Sequence, residues 1–282
     1  MKLLKYTVLF LLFALLALFL WFVIPYSPLK TKFNEEVNHM LSANCQTKTY
    51  DKEDFKDLPM PILKYLDQAG YFGSKYTDVV RLSFKDADFR MDQDKPPLRI
   101  DYTVVSSGEG KARLALIETS MMGIPFQGID SFINEEGRMR GALGKVVTLF
   151  DQKGSAMDQG SYLTYLAESL FFPHALLNDK IKLEQVNDYE VKMITNFQGK
   201  DLSGIYKFNQ DYEFIEFYTN DRPRVDDQGR VENLAWSAHC SDYIQMANGV
   251  KYPSKYQVIW HGKQGDFTYF DGRLTSVENV IQ

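Results

Sequence analysis

The sequence predicts an α+β, mostly β fold: one strongly curved antiparallel sheet, a half-barrel-like meander, packed on a few helices and preceded by one N-terminal transmembrane helix. Three observations carry this. Leu98-Arg99-Ile100-Asp101-Tyr102-Thr103-Val104 alternates apolar with polar side chains, the pattern of a strand with one face on a core. Turn-forming clusters (Asn187-Asp188, Gly199-Lys200-Asp201, Asn209-Gln210-Asp211, Asn248-Gly249) punctuate runs of about six to twelve residues, which fits a meander and not parallel βαβ units. Aromatic residues make up 14% of the chain, and such side chains favour pleated, half-buried surfaces.

The N-terminal element is the plainest. Tyr6 to Ile24 carries no charge and is almost wholly Leu, Phe, Val and Ala. As a helix it spans roughly 28 Å, close to the hydrocarbon thickness of a bilayer. Pro25 and Pro28 close it, because proline cannot continue the hydrogen-bond ladder. A cleaved secretory signal is the rival reading, but Val23-Ile24-Pro25-Tyr26-Ser27-Pro28 offers no small-x-small cleavage pair. Residues 1–26 are therefore expected to be an uncleaved anchor that reaches the membrane through Tyr6–Ile24. Lys2 and Lys5 on one side nearly balance Lys30 and Lys32 on the other. The short N-terminal tail then favours the signal-anchor arrangement, a single-pass cell-membrane protein with its C-terminal domain outside the cytoplasm.

Residues 27–56 read as a polar stalk, with Phe33, Val37, Met40 and Leu41 on one face of a short amphipathic helix. The soluble β-rich domain is expected over 57–282. It begins with Asp57-Leu58-Pro59-Met60-Pro61, a helix start with an Asp cap and early prolines, and Gly70 is placed to stop that helix. Ala112 to Thr119 is a further strand, and Asn134 to Arg138 reads as a hairpin loop before Val146 to Phe150. One helix, Asp158 to Leu177, interrupts the strands. Its apolar stripe is Tyr162, Leu163, Tyr165, Leu166, Leu170 and Phe171, and Pro173 bends or ends it.

Charge and motifs narrow the function. The net charge is −5, and the acidic folded part argues against nucleic acid, which needs a basic footprint. His39, His174, His239 and His261 form no zinc-type pair, so neither metal nor cofactor is expected. Phosphate-loop, dinucleotide and nucleophile-elbow signatures are missing as well. In His239-Cys240-Ser241-Asp242, strand geometry sends neighbours to opposite faces, which leaves ordinary strand residues and no catalytic assignment. Glu168, beside the helical stripe, is a candidate structural clamp with Arg222 or Arg224. Trp236, Tyr243, Tyr252 and Trp260, on late strands together with Tyr256, are candidates to line an apolar ligand cavity. Cys45 and Cys240 are a candidate disulfide in an exported domain.

The order of these features resembles a bacterial membrane-anchored family that carries a domain of unknown function. The resemblance covers roughly Leu58 to Trp260. It rests on Leu58-Pro59-x-Pro61 with Lys64-Tyr65-Leu66, and on Tyr162-Leu163-Thr164-Tyr165-Leu166-Ala167-Glu168 followed by Phe172-Pro173. Asp221-Arg222-Pro223-Arg224, Trp236, Asp242-Tyr243, Gly249-Val250-x-Tyr252-Pro253 and Trp260 complete it. Lys64 and Thr164 stand where that family commonly has arginine. The resemblance implies an envelope location, no assigned activity, and a fold similar to the half-barrels of lipoprotein carriers, whose curved sheet shelters apolar ligands. The leading expectation is thus a non-enzymatic module binding a lipid or other apolar ligand. The alternatives are a protein-interaction or structural domain with a filled core, its partner unspecified, and an enzyme acting through Glu168 and Arg222.

Overall fold

A computed structural model describes residues 2–43, 46–226, 229–263 and 265–280. Helix α1 (Lys2–Val23) is solvent-exposed along nearly its whole length and is apolar and long enough to cross a membrane. Helix α2 (Pro28–Ala43) follows after only four residues. Next come β1 (Lys48–Thr49), a short 3-10 turn at Lys52–Phe55, α3 (Met60–Ala69) and β2 (Lys75–Tyr76). Strands β3 (Val79–Phe89), β4 (Leu98–Ser107), β5 (Ala112–Met121), β6 (Ile124–Ile133), β7 (Glu136–Leu143) and β8 (Val147–Lys153) then run consecutively. After α4 (Ser155–Glu168) and two 3-10 turns at Ser169–Phe171 and Pro173–Leu177, the chain forms β9 (Ile181–Asn187), β10 (Glu190–Phe197), β11 (Lys200–Phe208) and β12 (Phe214–Thr219). A small ribbon, β13 (Pro223–Val225) with β14 (Val231–Asn233), precedes β15 (Ala235–Gln245), β16 (Lys251–Gly262) and β17 (Gly265–Asn279).

Thirteen of these strands form one antiparallel sheet in the order β8-β7-β6-β5-β4-β3-β17-β16-β15-β12-β11-β10-β9. The chain enters at the centre with β3, steps outward to the edge strand β8, crosses through α4 to the opposite edge β9, and steps back inward. First and last strands then pair, with Leu82 opposite Val277. The meander predicted from turn spacing is therefore present as two meanders zipped along β3 and β17.

Turn chemistry explains the hairpins. Asn134-Glu135, Gln198-Gly199 and Met122-Gly123 all have both central φ values positive, the two-residue turn whose twist matches the flanking strands. The first two lie where turn residues mark them in the sequence. The third carries a methionine where Asn or Asp is the usual choice.

The two helices expected inside the domain are there, with local differences. Helix α3 is capped at Pro59 and not Asp57, and Gly70 closes it at φ 81°. The predicted helix over Asp158–Leu177 is α4 only to Glu168. Phe172 adopts φ −140°, ψ 70°, because the residue before Pro173 is pushed out of the helical region.

Both helices lie on the concave face in one large core, where Ile62, Tyr65, Leu66, Leu163, Leu166 and Leu170 are fully buried. Each such side chain contributes about 1.5–3 kcal/mol of transfer free energy. A second core lies on the outer face. There Leu29, Phe33, Val37, Met40 and Leu41 of α2 cover Val79, Val105, Leu114, Leu116 and Ile129. Strand β5 is consequently buried on both faces, which is why Ala-Arg-Leu-Ala-Leu-Ile alternates so weakly. The apolar side of α2 packs on the sheet.

Candidate functional site

Helix α4 ends where an α-helix leaves its last carbonyls unpaired. Here the sheet and α3 supply the missing donors. Tyr206 donates to the Leu166 carbonyl at 2.7 Å, Tyr65 and Tyr71 to Leu170 at 3.3 and 3.1 Å, and Tyr252 to Phe171 at 3.5 Å. Tyr165, on α4 itself, donates to the carbonyls of Ser107 and Gly108, both at 3.2 Å. Burial pushes all five phenols above their ordinary pKa. The aromatic content of this chain thus has a structural use: each ring fills the core and each hydroxyl satisfies a buried carbonyl.

Beside this end sits the main charged cluster. Arg113 of β5 is 2% exposed and faces the concave core. Its Nε and Nη2 donate to the two carboxylate oxygens of Glu168 at 2.8 and 3.0 Å, its Nη1 to Asp130 at 2.8 Å, and Nη2 also to the Tyr102 hydroxyl at 2.7 Å. Burial opposes a charge there, but Glu168, Tyr102 and Asp130 outweigh it and hold the guanidinium pKa well above its usual value. The expected partner of Glu168 is therefore corrected: it is Arg113, and neither Arg222 nor Arg224. Glu168 closes the C-terminal turn of α4 over the first half-sheet, whereas both of the expected arginines follow β12 in the second.

Arg222 has a different task. Its Nε donates to Thr164 Oγ1 at 3.0 Å, and its guanidinium lies 4.8 Å from the ring centroids of both Trp236 and Trp260. Those tryptophans are register partners on β15 and β16. Arg222 consequently occupies the indole surface on which an apolar ligand would stack. Arg224 pairs with Glu232 at 3.3 Å across the β13–β14 ribbon.

The four residues expected to line a cavity belong to the concave core: Trp236 is 1% exposed, Tyr252 and Trp260 are buried, and Tyr243 packs beside them. Trp236 Nε1 donates to Tyr269, and Tyr243 to the Phe214 carbonyl at 2.8 Å. Two open grooves lie elsewhere. One of about 270 Å³, on the outer face, is lined by Glu216, His239, Ser241, Lys255 and Gln257. The other, about 410 Å³, runs between Asp54–Leu58 and Leu176–Asn178. Of the candidate disulfide, Cys45 lies outside the described residues. Cys240 is buried, and burial, together with the nearby Glu168 charge, pushes its thiol pKa up.

The outer face holds a chain that sequence reasoning did not find. Ser237 Oγ lies 2.9 Å from His239 Nε2 and 2.8 Å from His261 Nε2, and His261 Nδ1 is 2.8 Å from Asp266. The residue types are those of a hydrolytic triad. Ser237, however, is fully buried with its oxygen held between two imidazoles, so no substrate carbonyl can reach it. The chain serves as a tie across β15, β16 and β17. Among the described residues, no group of three or more His, Cys, Asp or Glu side chains is arranged to hold a metal ion.

A buried polar cluster at the far end of the sheet fixes the 3-10 turn after α4. Asp78 accepts from Ser107 Oγ and from the Glu109 backbone N–H at 2.6 Å, and lies 3.3 Å from His174 Nε2. Tyr50 lies 3.0 Å from the other imidazole nitrogen. Burial raises the Asp78 pKa, but the bonds from His174, Ser107 and Glu109 outweigh it and leave it below the ordinary value. A lowered carboxylate pKa contributes stability that is complete above the unfolded value, near 4, and is lost as pH falls through the folded one. Urea unfolding between pH 3 and pH 6 is therefore expected to show an acid loss of stability that Asp78→Asn flattens. An unchanged acid slope in that variant would remove Asp78 from the account.

Fold and site together define a helix-filled, curved-sheet module. The chain belongs to the family of unknown function DUF6544, whose model matches residues 48–272. The resemblance drawn from the sequence motifs is thereby established. A search of the curated proteins finds no match. Among solved structures, a domain from Vibrio parahaemolyticus described as a candidate outer membrane lipoprotein-sorting protein matches at 11% identity, covering 71% of this chain and 84% of that one, with a TM-score of 0.40.

Proposed function

We propose that this chain is a single-pass membrane protein of the cell envelope whose exported domain is a non-enzymatic binding scaffold for a protein partner. The observation that carries this is the state of the concave face. Its helix end is tied down by Arg113 and by tyrosine hydroxyls, and its tryptophan pair is covered by Arg222. A container for a lipid needs free volume lined by apolar groups, whereas here those groups contact one another. Anchoring is supported by the exposed apolar length of α1. Because α2 packs on the sheet, we place the start of the folded unit at Ser27.

An apolar ligand is the second reading, and the buried indole floor beneath Arg222 is what favours it. Mass spectrometry of organic extracts from residues 27–282, purified natively, separates the two. No stoichiometric lipid and no uptake of a hydrophobic fluorescent probe are the expected results. A lipid recovered at one per chain would overturn the filled-scaffold reading, and would mean that α4 and Arg222 move aside.

A further inference from the structure

The end of the sheet nearest α1 carries apolar side chains where water-facing turns carry polar ones. At the β5–β6 turn, Met122 is 100% exposed and sits at φ 51°. At the β7–β8 turn, Val146 is 66% exposed, and Val147 (56%) and Leu149 follow on the edge strand. In water, such positions favour Asn, Asp and Gly. The two turns are neighbours: the Gly144 backbone N–H donates to the Pro125 carbonyl at 2.7 Å.

The β7–β8 turn is fixed against the last turn of α1, and through the Gly144–Pro125 bond it holds the neighbouring β5–β6 turn close to it. Lys145 Nζ donates to the carbonyls of Trp21 at 2.7 Å and Ile24 at 2.5 Å, and so caps the helix end. Trp21 Nε1 donates in return to the Gly144 carbonyl at 3.0 Å. On the other side of Pro25, Ser27 is buried and bonded to Gln127 of β6, while Lys30 bridges to Glu118 of β5 at 3.0 Å. The connection between anchor and sheet thus has no slack. Trp21 lies three residues inside the end of the apolar run, about 4.5 Å along the helix axis. A turn bonded at that level lies at the boundary of the hydrocarbon if α1 crosses it.

We propose that the lipid surface around the anchor is itself a partner of this domain: Met122 and Val146–Leu149 insert at the headgroup–acyl boundary and hold the sheet with that end down. The inference rests on the membrane-anchor reading above. Exposed apolar residues beside an interfacial Trp and Tyr (Trp21 and Tyr26 pack edge-on at 6.4 Å) are the composition expected of such a contact. Seating the turns this way leaves the opposite tips, including Asn134-Glu135, directed away from the bilayer.

The test uses the full-length chain in vesicles of phosphatidylethanolamine and phosphatidylglycerol doped with a photoactivatable phospholipid, with crosslinks mapped by peptide mass spectrometry. Crosslinks are expected in the anchor, in the peptide around Met122 and in that around Val146–Leu149, several-fold above the Asn134-Glu135 turn. Met122→Asp together with Val146→Asp is expected to bring the two turn peptides down to that background and to leave the anchor signal. Crosslinks confined to the anchor would overturn this inference while sparing the anchor reading. Crosslinks nowhere, the anchor included, would overturn both.

Discussion

Replacing Arg113 with methionine is expected to lower the unfolding free energy by about 3–5 kcal/mol, because it leaves Glu168 and Asp130 without the guanidinium that neutralises them. Arg113→Lys should recover little, since one ammonium does not reproduce the fork that meets Glu168 at two oxygens and Asp130 at a third. Urea titrations of wild type and both variants at pH 7 check this. A Met variant within 1 kcal/mol of wild type at pH 7 would show that the cluster is not a clamp.

The second large effect is expected at Trp236→Ala, about 3–5 kcal/mol for emptying a fully buried indole site. Arg222→Gln should cost less, about 1–2 kcal/mol, the scale of a desolvated cation–π contact with one added hydrogen bond. The two changes share an interaction, so the double variant should cost less than their sum. Strict additivity in a double-mutant cycle would mean that Arg222 does not rest on the indole in solution. The same variant bears on ligand binding, because Arg222→Gln bares the indole pair. If residues 27–282 then take up a hydrophobic probe that wild type rejects, Arg222 is what closes the concave face.

How much of this is legible in the sequence follows from the range of each interaction. Periodicity and turn chemistry are local. They mark α1, the face of α2, the body of α4 and hairpins such as Asn134-Glu135 without any tertiary knowledge. What α2 covers is not local. Its apolar face is readable, but the weak alternation of β5 that receives it reads equally as a single buried strand. Glu168 stands out beside an apolar stripe, yet its partner lies 55 residues earlier on a strand, and nothing in the spacing favours Arg113 over arginines nearer the C-terminus. Trp236 and Trp260 are recognisable as concave-face aromatics. That an arginine from the loop after β12 lies over them depends on a turn whose path no pattern specifies. The tyrosine ties to α4 are missed for a similar reason: a tyrosine in a strand announces burial, not the carbonyl its hydroxyl will meet.

The pairing of β3 with β17 has a consequence for how the protein is made. At about 5–20 residues per second, roughly ten to forty seconds of synthesis separate the two strands that form the middle of the sheet. During that interval the first half-sheet has an open edge at β3, and two of the tyrosines that will hold the end of α4 and the turn after it (Tyr206 and Tyr252) have yet to emerge or are only just doing so. A nascent chain therefore passes through a long-lived state with an unpaired central strand. Such a topology, rich in contacts between distant residues, folds slowly and rewards assistance. Loss of residues 265–282, which carry all of β17, would split the sheet at its centre and not trim it at a rim.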